Sequence, residues 1–319
     1  MTKKLLIAIP AYNEEEKIGE VIRNIPGKIK GISKVHVLVI DDGSTDKTAE
    51  IADDSGAEVI KNKRNIGYGA SFGKALQYSV DNYFDLMVSI DGDAQFDPKD
   101  IPKLIEPIIE DEADLVTASR FINKDYYPKM PLPKFWGNKL MSFLVSRLVG
   151  KKFYDVSCGF RAYSQKTLLS LNLHGKFTFS QETVISLSFK DFKILEIPIR
   201  VKYFPERVSK ISSNLFRYGA NALKIIIETY RDYKPFVFFS YISLFFFIIS
   251  IFFGSILLHT YITLGSFHPN IWSGFVGGTF LFISVTFFIV GISADIIKRI
   301  RVNQEEILYL LKRNSLKNK

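Results

Sequence analysis

Short apolar runs alternate with segments of helical periodicity along the first 120 residues of the chain. Runs of this length, bounded by polar turns, are typical of β-strands. The alternation of strands and helices predicts an α/β fold with a mostly parallel sheet and helices on both faces. The apolar runs are KLLIAIPA, VHVLVID, AEVIKN, DLMVSID and ADLVTAS.

Two long apolar blocks, 235–258 and 271–294, dominate the last third of the chain, and residues 235–294 contain no Asp, Glu, Lys or Arg. A helix needs about 20 apolar residues to cross roughly 30 Å of hydrocarbon, and each block is long enough. A buried hairpin of a soluble protein is disfavoured, because core helices rarely run so far without a polar face. The sequence therefore predicts a two-helix transmembrane hairpin.

Positive charge is concentrated beside these blocks. Residues 1–192 hold 26 basic and 26 acidic side chains, residues 193–234 carry a net charge of +5, and the tail from residue 295 carries +4. A nucleic-acid-binding protein would spread basic charge over its soluble domain, so this class is disfavoured. The distribution instead favours anionic lipid or a membrane substrate that carries phosphate.

The same charges predict the topology. The segment between the apolar blocks has no Lys or Arg, whereas the tail after residue 295 carries seven. By the positive-inside rule, the tail and the large N-terminal portion face the cytoplasm. The single cysteine, Cys158, excludes an internal disulfide and agrees with a reducing compartment.

Polar motifs follow the predicted strands, at the edge where ligands bind in parallel sheets. In the segment VSIDGDAQFDP, Asp91, Asp93 and Gln95 alternate, so their side chains point the same way along an extended backbone. Clustered carboxylates repel unless a cation lies between them, and Mg²⁺ or Mn²⁺ bridging a diphosphate suits such oxygen ligands. On this motif alone, a solvated loop remains an equal alternative.

The motifs together are more specific. IPAYNEEEKIGEVI, VIDDGSTDKT, NKRNIGYGAS, IDGDAQFDP and ASRF, in this order, resemble family 2 glycosyltransferases of the Rossmann-like GT-A fold. With DVSCGFRAYS, FSQETVISL and IPIRVKYFPERVSKIS, the chain is similar to the branch of dolichyl-phosphate mannose and glucose synthases. The expected organisation is a catalytic domain over 1–210, a juxtamembrane amphipathic helix over 211–234, the hairpin over 235–297 and a basic tail over 298–319.

The resemblance implies which residues bind the donor. Asp41 or Asp42 would hold the base, Asp91 would face the ribose and metal, and Asp93 and Gln95 would ligate Mg²⁺ or Mn²⁺. The implied nucleotide-sugar set is Pro10, Tyr12, Glu14, Asp41, Asp42, Asp91 and Ser209, and the implied catalytic set is Asp91, Asp93, Arg120, Arg161, Arg207 and Lys210.

The expected reaction is inverting transfer of a hexose from GDP-mannose, UDP-glucose or UDP-N-acetylglucosamine to dolichyl or polyprenyl phosphate at the cytoplasmic leaflet. A lipid monophosphate is largely anionic at neutral pH, so it attacks with little help from a base. The alternatives are a transferase acting on a glycan hydroxyl, with Glu182 as base, and a membrane-tethered scaffold without activity. A G-x-x-x-G pair, Gly274 and Gly278, predicts close packing within the hairpin or between subunits of a homo-oligomer.

Overall fold

The computed structural model divides the chain into two compact units, which are described separately. The first comprises Met1–Ile225 together with Leu308–Lys319, and the second comprises Ile226–Ile307. The predicted helix over 211–234 lies mostly outside the described residues. The structure describes residues 2–172, 179–202, 223–224, 227–228 and 230–317.

The first unit contains a seven-stranded sheet in the order β3-β2-β1-β4-β6-β5-β7. Every paired neighbour is parallel except at β6, which runs antiparallel to β4 and β5. This arrangement confirms the predicted mostly parallel sheet. The strands are β1 Lys3–Ala11, β2 Ile32–Asp41, β3 Glu58–Lys61, β4 Leu86–Ser89, β5 Leu115–Ser119, β6 Arg161–Ser164 and β7 Ile194–Pro198.

Helices follow the strands as the alternating pattern predicts. Four of them lie in the first 120 residues, one after each of the first four strands. The helices are α1 Ile18–Arg23, α2 Thr48–Asp54, α3 Tyr68–Asp81, α4 Ile101–Ile109, α5 Leu132–Val149, α6 Gln165–Ser170, α7 Phe179–Phe189, α8 Pro235–Leu264 and α9 Ile271–Lys317.

The sheet buries apolar side chains on both faces. In β1, Leu5, Ile7 and Ile9 belong to one core cluster, while Leu6 and Ala8 belong to the cluster on the other face. Successive side chains of a strand point to opposite faces, so a strand covered on both sides must be apolar at every position. This is why β1 is a continuous apolar run in the sequence.

Strand register brings the polar motifs to one edge of the sheet. Ala11, the last residue of β1, pairs with Asp41, the last residue of β2. Ser89 at the end of β4 pairs with Arg161 at the start of the antiparallel β6, and Thr117 of β5 pairs with the same arginine. The segments after β1, β2, β4 and β5 and the segment before β6 therefore meet at this edge.

The second unit contains α8 and most of α9. Both helices are long and apolar enough to cross a membrane, with mean hydropathies of 2.5 and 2.3 over their most apolar stretches. Ser243 Oγ lies 3.1 Å from Ser284 Oγ, and Ser250 Oγ donates to the Gly277 carbonyl at 2.8 Å. These hydrogen bonds join the two helices at two levels.

The close contact between α8 and α9 uses only part of the predicted glycine pair. A Cβ at Gly274 would lie 2.7 Å from the Leu257 side chain, but a Cβ at Gly278 would meet nothing within 4 Å. At Gly277 it would lie 3.3 Å from the Gly254 nitrogen. The prediction for Gly278 within the hairpin is therefore wrong. Neighbouring residues of a helix point in directions about 100° apart, and the packing turns Gly277 rather than Gly278 toward α8.

Candidate active site

The segments after β1 and β2 are joined by hydrogen bonds. Asn13 N donates to Ser44 Oγ at 2.9 Å, Thr45 N donates to Asn13 Oδ1 at 2.9 Å, and Glu14 N donates to Thr48 Oγ1 at 2.7 Å. The φ of Asn13 is 53°, in the left-handed region that asparagine tolerates better than most residues. The segment that carries the predicted base-binding side chains is thereby held in one conformation.

Asp41 is fully buried at the end of β2. Its carboxylate accepts a hydrogen bond from Ser44 N at 3.0 Å and lies 3.6 Å from Lys61 Nζ. The following Gly43 has a φ of 76°, and a Cβ there would lie 2.5 Å from the backbone carbon of Arg64. Only glycine permits this approach, which brings the segments after β2 and β3 together.

Asp42 is also buried and accepts three hydrogen bonds from within the protein. The donors are Asn62 Nδ2 at 2.8 Å, Ile66 N at 3.0 Å and Gly67 N at 2.9 Å. Two backbone amides and a side-chain amide thus fix the turn that precedes α3. The predicted contact of Asp41 or Asp42 with a base stays a prediction.

Asp91 and Asp93 follow β4 and form the acidic centre of the site. The Tyr68 hydroxyl donates to Asp91 Oδ1, and Asp93 Oδ1 accepts a hydrogen bond from Gln95 N at 3.0 Å. A Cβ at Gly159 would lie 3.3 Å from both Asp91 carboxylate oxygens and from the Tyr68 hydroxyl. Tyr68, which the sequence reasoning missed, therefore orients the first carboxylate, and the absence of a side chain at Gly159 leaves room for both.

The electrostatics of this pair suit a divalent cation. Burial, followed by the neighbouring Asp93 carboxylate, raises the pKa of Asp91 to about 6, and the hydrogen bond from Tyr68 opposes this rise. A cation that prefers oxygen ligands, such as Mg²⁺ or Mn²⁺, would relieve the repulsion. Among the described residues no three His, Cys, Asp or Glu side chains converge. Substrate phosphates, water or the Gln95 amide would therefore complete the coordination.

Arg120 follows β5 and is held by a buried carboxylate. Its Nε and one terminal nitrogen donate to Asp155 at 2.6 and 2.8 Å, and its backbone N donates to the same carboxylate at 3.1 Å. Asp155 is fully buried, and Glu196 of β7 accepts hydrogen bonds from the backbone nitrogens of Tyr154 and Asp155, both at 2.8 Å. Two carboxylates that the sequence reasoning missed thus fix the orientation of Arg120.

Lys134, in the first turn of α5, adds a second cation that the sequence reasoning missed. Burial and then Arg120 lower the pKa of its ammonium group, whereas Asp93 raises it, so the amine lies near both. Arg120 in turn opposes the rise in the pKa of Asp91. The site therefore places two cations beside two carboxylates, an arrangement suited to a metal-bound diphosphate.

Arg161 is fully buried, and its guanidinium bonds to the protein interior. It donates to the Ser180 carbonyl at 2.7 Å, to the Val156 carbonyl at 2.9 Å and to Thr117 Oγ1 at 3.3 Å. These bonds connect β6 with β5 and with the start of α7. Its predicted role on the sugar and acceptor side stays a prediction.

The other predicted residues divide between two regions. Pro10 is buried at the end of β1, whereas Tyr12 and Glu14 are half-buried just beyond it, and the Glu14 carboxylate contributes to the raised pKa of Asp91. Glu182 is half-buried in the first turn of α7. Arg207, Ser209 and Lys210 lie outside the described residues.

Comparison with solved structures supports the fold. Glucosyl-3-phosphoglycerate synthase of Mycobacterium tuberculosis, crystallised with Mn²⁺, uridine diphosphate and its product, superposes with a TM-score of 0.55 at 21% identity. The match covers 72% of this chain and 80% of that one. At this identity the likeness establishes the GT-A architecture and nothing further.

Sequence comparison identifies the family. The model of "Glycosyl transferase family 2" matches residues 6–170. The chain is 32% identical to the UDP-N-acetylglucosamine–dolichyl-phosphate N-acetylglucosaminyltransferase of Methanococcus voltae, covering 63% of this chain and 86% of the relative. It is 26% identical to the polyprenol monophosphomannose synthase of Mycolicibacterium smegmatis, covering 68% and 84%. The chain therefore belongs to glycosyl transferase family 2. It is an enzyme that transfers a sugar, and the acidic and cationic groups described above form its candidate active site.

Proposed function

We propose that this enzyme transfers a hexose from a nucleotide diphosphate sugar to a polyprenyl or dolichyl phosphate, with inversion at the anomeric carbon. The observation that carries the proposal is that one chain combines the acidic and cationic site with two helices apolar enough to cross a bilayer. The names of two relatives, each with an isoprenoid lipid as acceptor, support the same acceptor class. The product would be a lipid-phosphate-linked sugar for glycan assembly.

The acceptor phosphate acts as the nucleophile. Its second pKa is near 6, so at neutral pH it already carries the charge that a hydroxyl would need a base to acquire. One of its oxygens attacks the anomeric carbon from the side opposite the diphosphate. The bond from that carbon to the diphosphate oxygen breaks, and the nucleoside diphosphate leaves with the electron pair. In-line displacement inverts the configuration.

The chain's own residues stabilise the departing charge. Arg120, oriented by Asp155, and Lys134 supply positive charge where the diphosphate develops negative charge. Asp91 and Asp93 would hold Mg²⁺ or Mn²⁺, with Tyr68 fixing the first of these carboxylates. When bound, the metal neutralises diphosphate oxygens as a Lewis acid. The positive flanks of the two helices support a cytoplasmic location for the site.

A transfer assay tests the reaction class. The full chain in phosphatidylcholine vesicles with polyprenyl phosphate and Mg²⁺ or Mn²⁺ is incubated separately with radiolabelled UDP-glucose, UDP-N-acetylglucosamine and GDP-mannose. At least one donor is expected to give label that extracts into organic solvent and is released by mild acid, because an anomeric phosphate is a good leaving group. Label that extracts but resists mild acid would contradict a glycosyl phosphate product. No extractable label from any donor would refute the proposal.

Tyr68→Phe tests the orientation of the acidic centre. Groups that orient metal ligands typically contribute 10- to 100-fold to metal affinity, so we expect the Kd for Mn²⁺ to rise by about that factor. Electron paramagnetic resonance of free Mn²⁺ measures the Kd without substrate or turnover. Tyr78→Phe is the matched control, since this tyrosine lies on the same helix and donates to Glu58 at 2.7 Å. Equal Mn²⁺ affinity in the two variants would show that Tyr68 does not orient a metal ligand.

A further inference from the structure

The last part of α9 carries residues at the spacing of a coiled coil. The helix runs without a break over Ile271–Lys317 and so continues beyond the second apolar block, which ends at residue 294. In this extension a row of exposed residues has alternating separations of three and four, the heptad spacing that keeps one side of a helix against a partner helix. The row consists of Ile297, Ile300, Gln304, Ile307, Leu311 and Asn314 and is called the α9 seam below.

The apolar members of the α9 seam are exposed in the structure. Ile297 is 65% exposed, Ile300 53%, Ile307 56% and Leu311 60%. A surface helix normally turns polar side chains outward. An exposed apolar row with heptad spacing therefore marks a surface that another helix covers.

A different side of α9 contacts the segment before α8. Arg301 donates to the Asp232 carbonyl at 3.2 Å, its guanidinium carbon lies 4.8 Å from the Tyr233 ring centroid, and its Nε lies 3.7 Å from the Glu305 carboxylate. Successive residues of a helix are about 100° apart, so the α9 seam points roughly 120° away from this side. The contacts that hold α9 within the chain therefore leave the α9 seam exposed.

The same helix of a second copy fits the α9 seam. Copies that insert into one membrane in the same orientation hold their α9 helices parallel and at the same depth, which brings each residue of the seam to its own counterpart. Ile297 and Leu311 would then occupy a positions, and Ile300 and Ile307 would occupy d positions, where coiled coils carry apolar side chains. Gln304 would occupy the a position between them, and a single polar residue at such a position specifies register at a cost in stability.

The flanking positions do not oppose a parallel pairing. In a parallel coiled coil each g residue of one helix faces an e residue of the other, which here pairs positions 296 with 301, 303 with 308 and 310 with 315. Of these six residues only Arg301 carries a charge, so no two like charges meet. Leu308 and Leu310 are 45% and 43% exposed and widen the apolar surface beside the α9 seam.

The α9 seam is shorter than the about three to four heptads by which a coiled coil is assigned from sequence alone. The apolar part of α9 compensates for this, because a segment that crosses a bilayer forms its helix without help from the seam. Confinement to one membrane also raises the effective concentration of each seam for the others.

We propose that the α9 seams of separate copies of this chain associate as a parallel coiled coil beside the membrane. The association depends on membrane insertion of α8 and α9 and on no step of sugar transfer. Failure of the transfer assay would therefore leave it unaffected.

Cross-linking of the full chain in phosphatidylcholine vesicles tests this association. Ile300→Cys places a thiol in the α9 seam, whereas Val302→Cys places one at an f position, and Val302 is 47% exposed on the same helix. Flotation first confirms insertion, and a short membrane-permeant bismaleimide is then added at a high ratio of lipid to protein. We expect about tenfold more cross-linked dimer from Ile300→Cys, because d positions face the partner helix and f positions face away.

The unmodified chain serves as the blank, since its single cysteine, Cys158, is buried. Burial raises the pKa of the Cys158 thiol to about 12, and the thiolate is the form that reacts. Ile307→Asp, at the next d position, should lower the yield of cross-linked Ile300→Cys about tenfold, because it places a charge in the apolar interface. Val302→Asp is its matched control and should leave that yield unchanged.

Equal yields from Ile300→Cys and Val302→Cys would overturn the proposal, as would a yield from Ile300→Cys that Ile307→Asp leaves unchanged. Protection of the Ile300→Cys thiol from a monofunctional maleimide, without cross-linked dimer, would assign the α9 seam to the bilayer or to a different protein and would also overturn it. Failure of flotation would refute membrane insertion, and with it the parallel register.

Discussion

Replacing Asp93 with alanine is expected to lower turnover by about 10³-fold or more while the fold survives. Stabilisation of a leaving group by a metal is worth several kcal/mol, and each 1.4 kcal/mol corresponds to about tenfold in rate. Asp93 is half-buried in the segment after β4 and lies outside both apolar core clusters, so the substitution leaves the packed core unchanged. Initial rates of lipid-linked product formation measure the effect, and circular dichroism checks the fold.

Chelation separates a metal effect from a general loss of charge. EDTA should reproduce the loss in the unmodified enzyme, and Mg²⁺ or Mn²⁺ should restore it there but not in the Asp93→Ala variant. Asp97→Asn is the control, because Asp97 is exposed in the same segment and its side chain accepts from Lys99 N, a bond that asparagine can also accept. Full activity in chelator would remove the metal from the mechanism.

Asp155→Asn is expected to affect both stability and activity. Asp155 is fully buried and its partner Arg120 is only 13% exposed, so neutralising the carboxylate leaves a guanidinium without its counterion in the interior. Removing one partner of a buried ion pair typically costs about 3–5 kcal/mol, which corresponds to a fall in Tm on the order of 10 °C for a domain of this size. Thermal unfolding in detergent measures the shift.

The kinetic consequence of the same change follows from the position of Arg120. A misoriented guanidinium stabilises the departing diphosphate poorly, so kcat should fall at temperatures where the variant is folded. Asp191→Asn is the matched control, since Asp191 pairs with Lys151 at 4.0 Å on the exposed surface and such pairs contribute little. A variant as stable and as active as this control would show that Asp155 does not orient Arg120.

The acidic centre was predictable because its pattern is local. Asp91 and Asp93 lie two residues apart directly after an apolar run, so the sequence alone places them close together. The predicted extended backbone is wrong, because the chain turns over residues 92–93 and Ala94 has a φ of 57°. The two helices long enough to cross a membrane were predictable for the same reason, since the length and composition of one continuous segment define each of them. The alternation of strands and helices likewise predicted the parallel sheet and the edge where the polar motifs meet.

Residues that reach this site from distant parts of the sequence were not predictable. Tyr68 lies 23 residues before Asp91, and Asp155 lies 35 residues after Arg120, so only the strand order brings each pair together. Arg161 lies in a motif of the family, yet the structure buries it among backbone carbonyls. Its surroundings depend on how the antiparallel β6 enters the sheet, which no periodicity in the chain encodes.

The sequence by itself determined the local properties of this protein: the order of strands and helices, the acidic pair after β4, and two segments long and apolar enough to cross a membrane. Only the tertiary structure decided which of several similar positions on a helix contacts a neighbouring element. Packing placed Gly277 rather than Gly278 against α8, and it turned one side of α5 inward and left Leu132, Trp136, Leu140 and Phe143 exposed. The physical reason is that helical spacing defines sides of a helix, whereas only the assembled neighbours determine which side is covered.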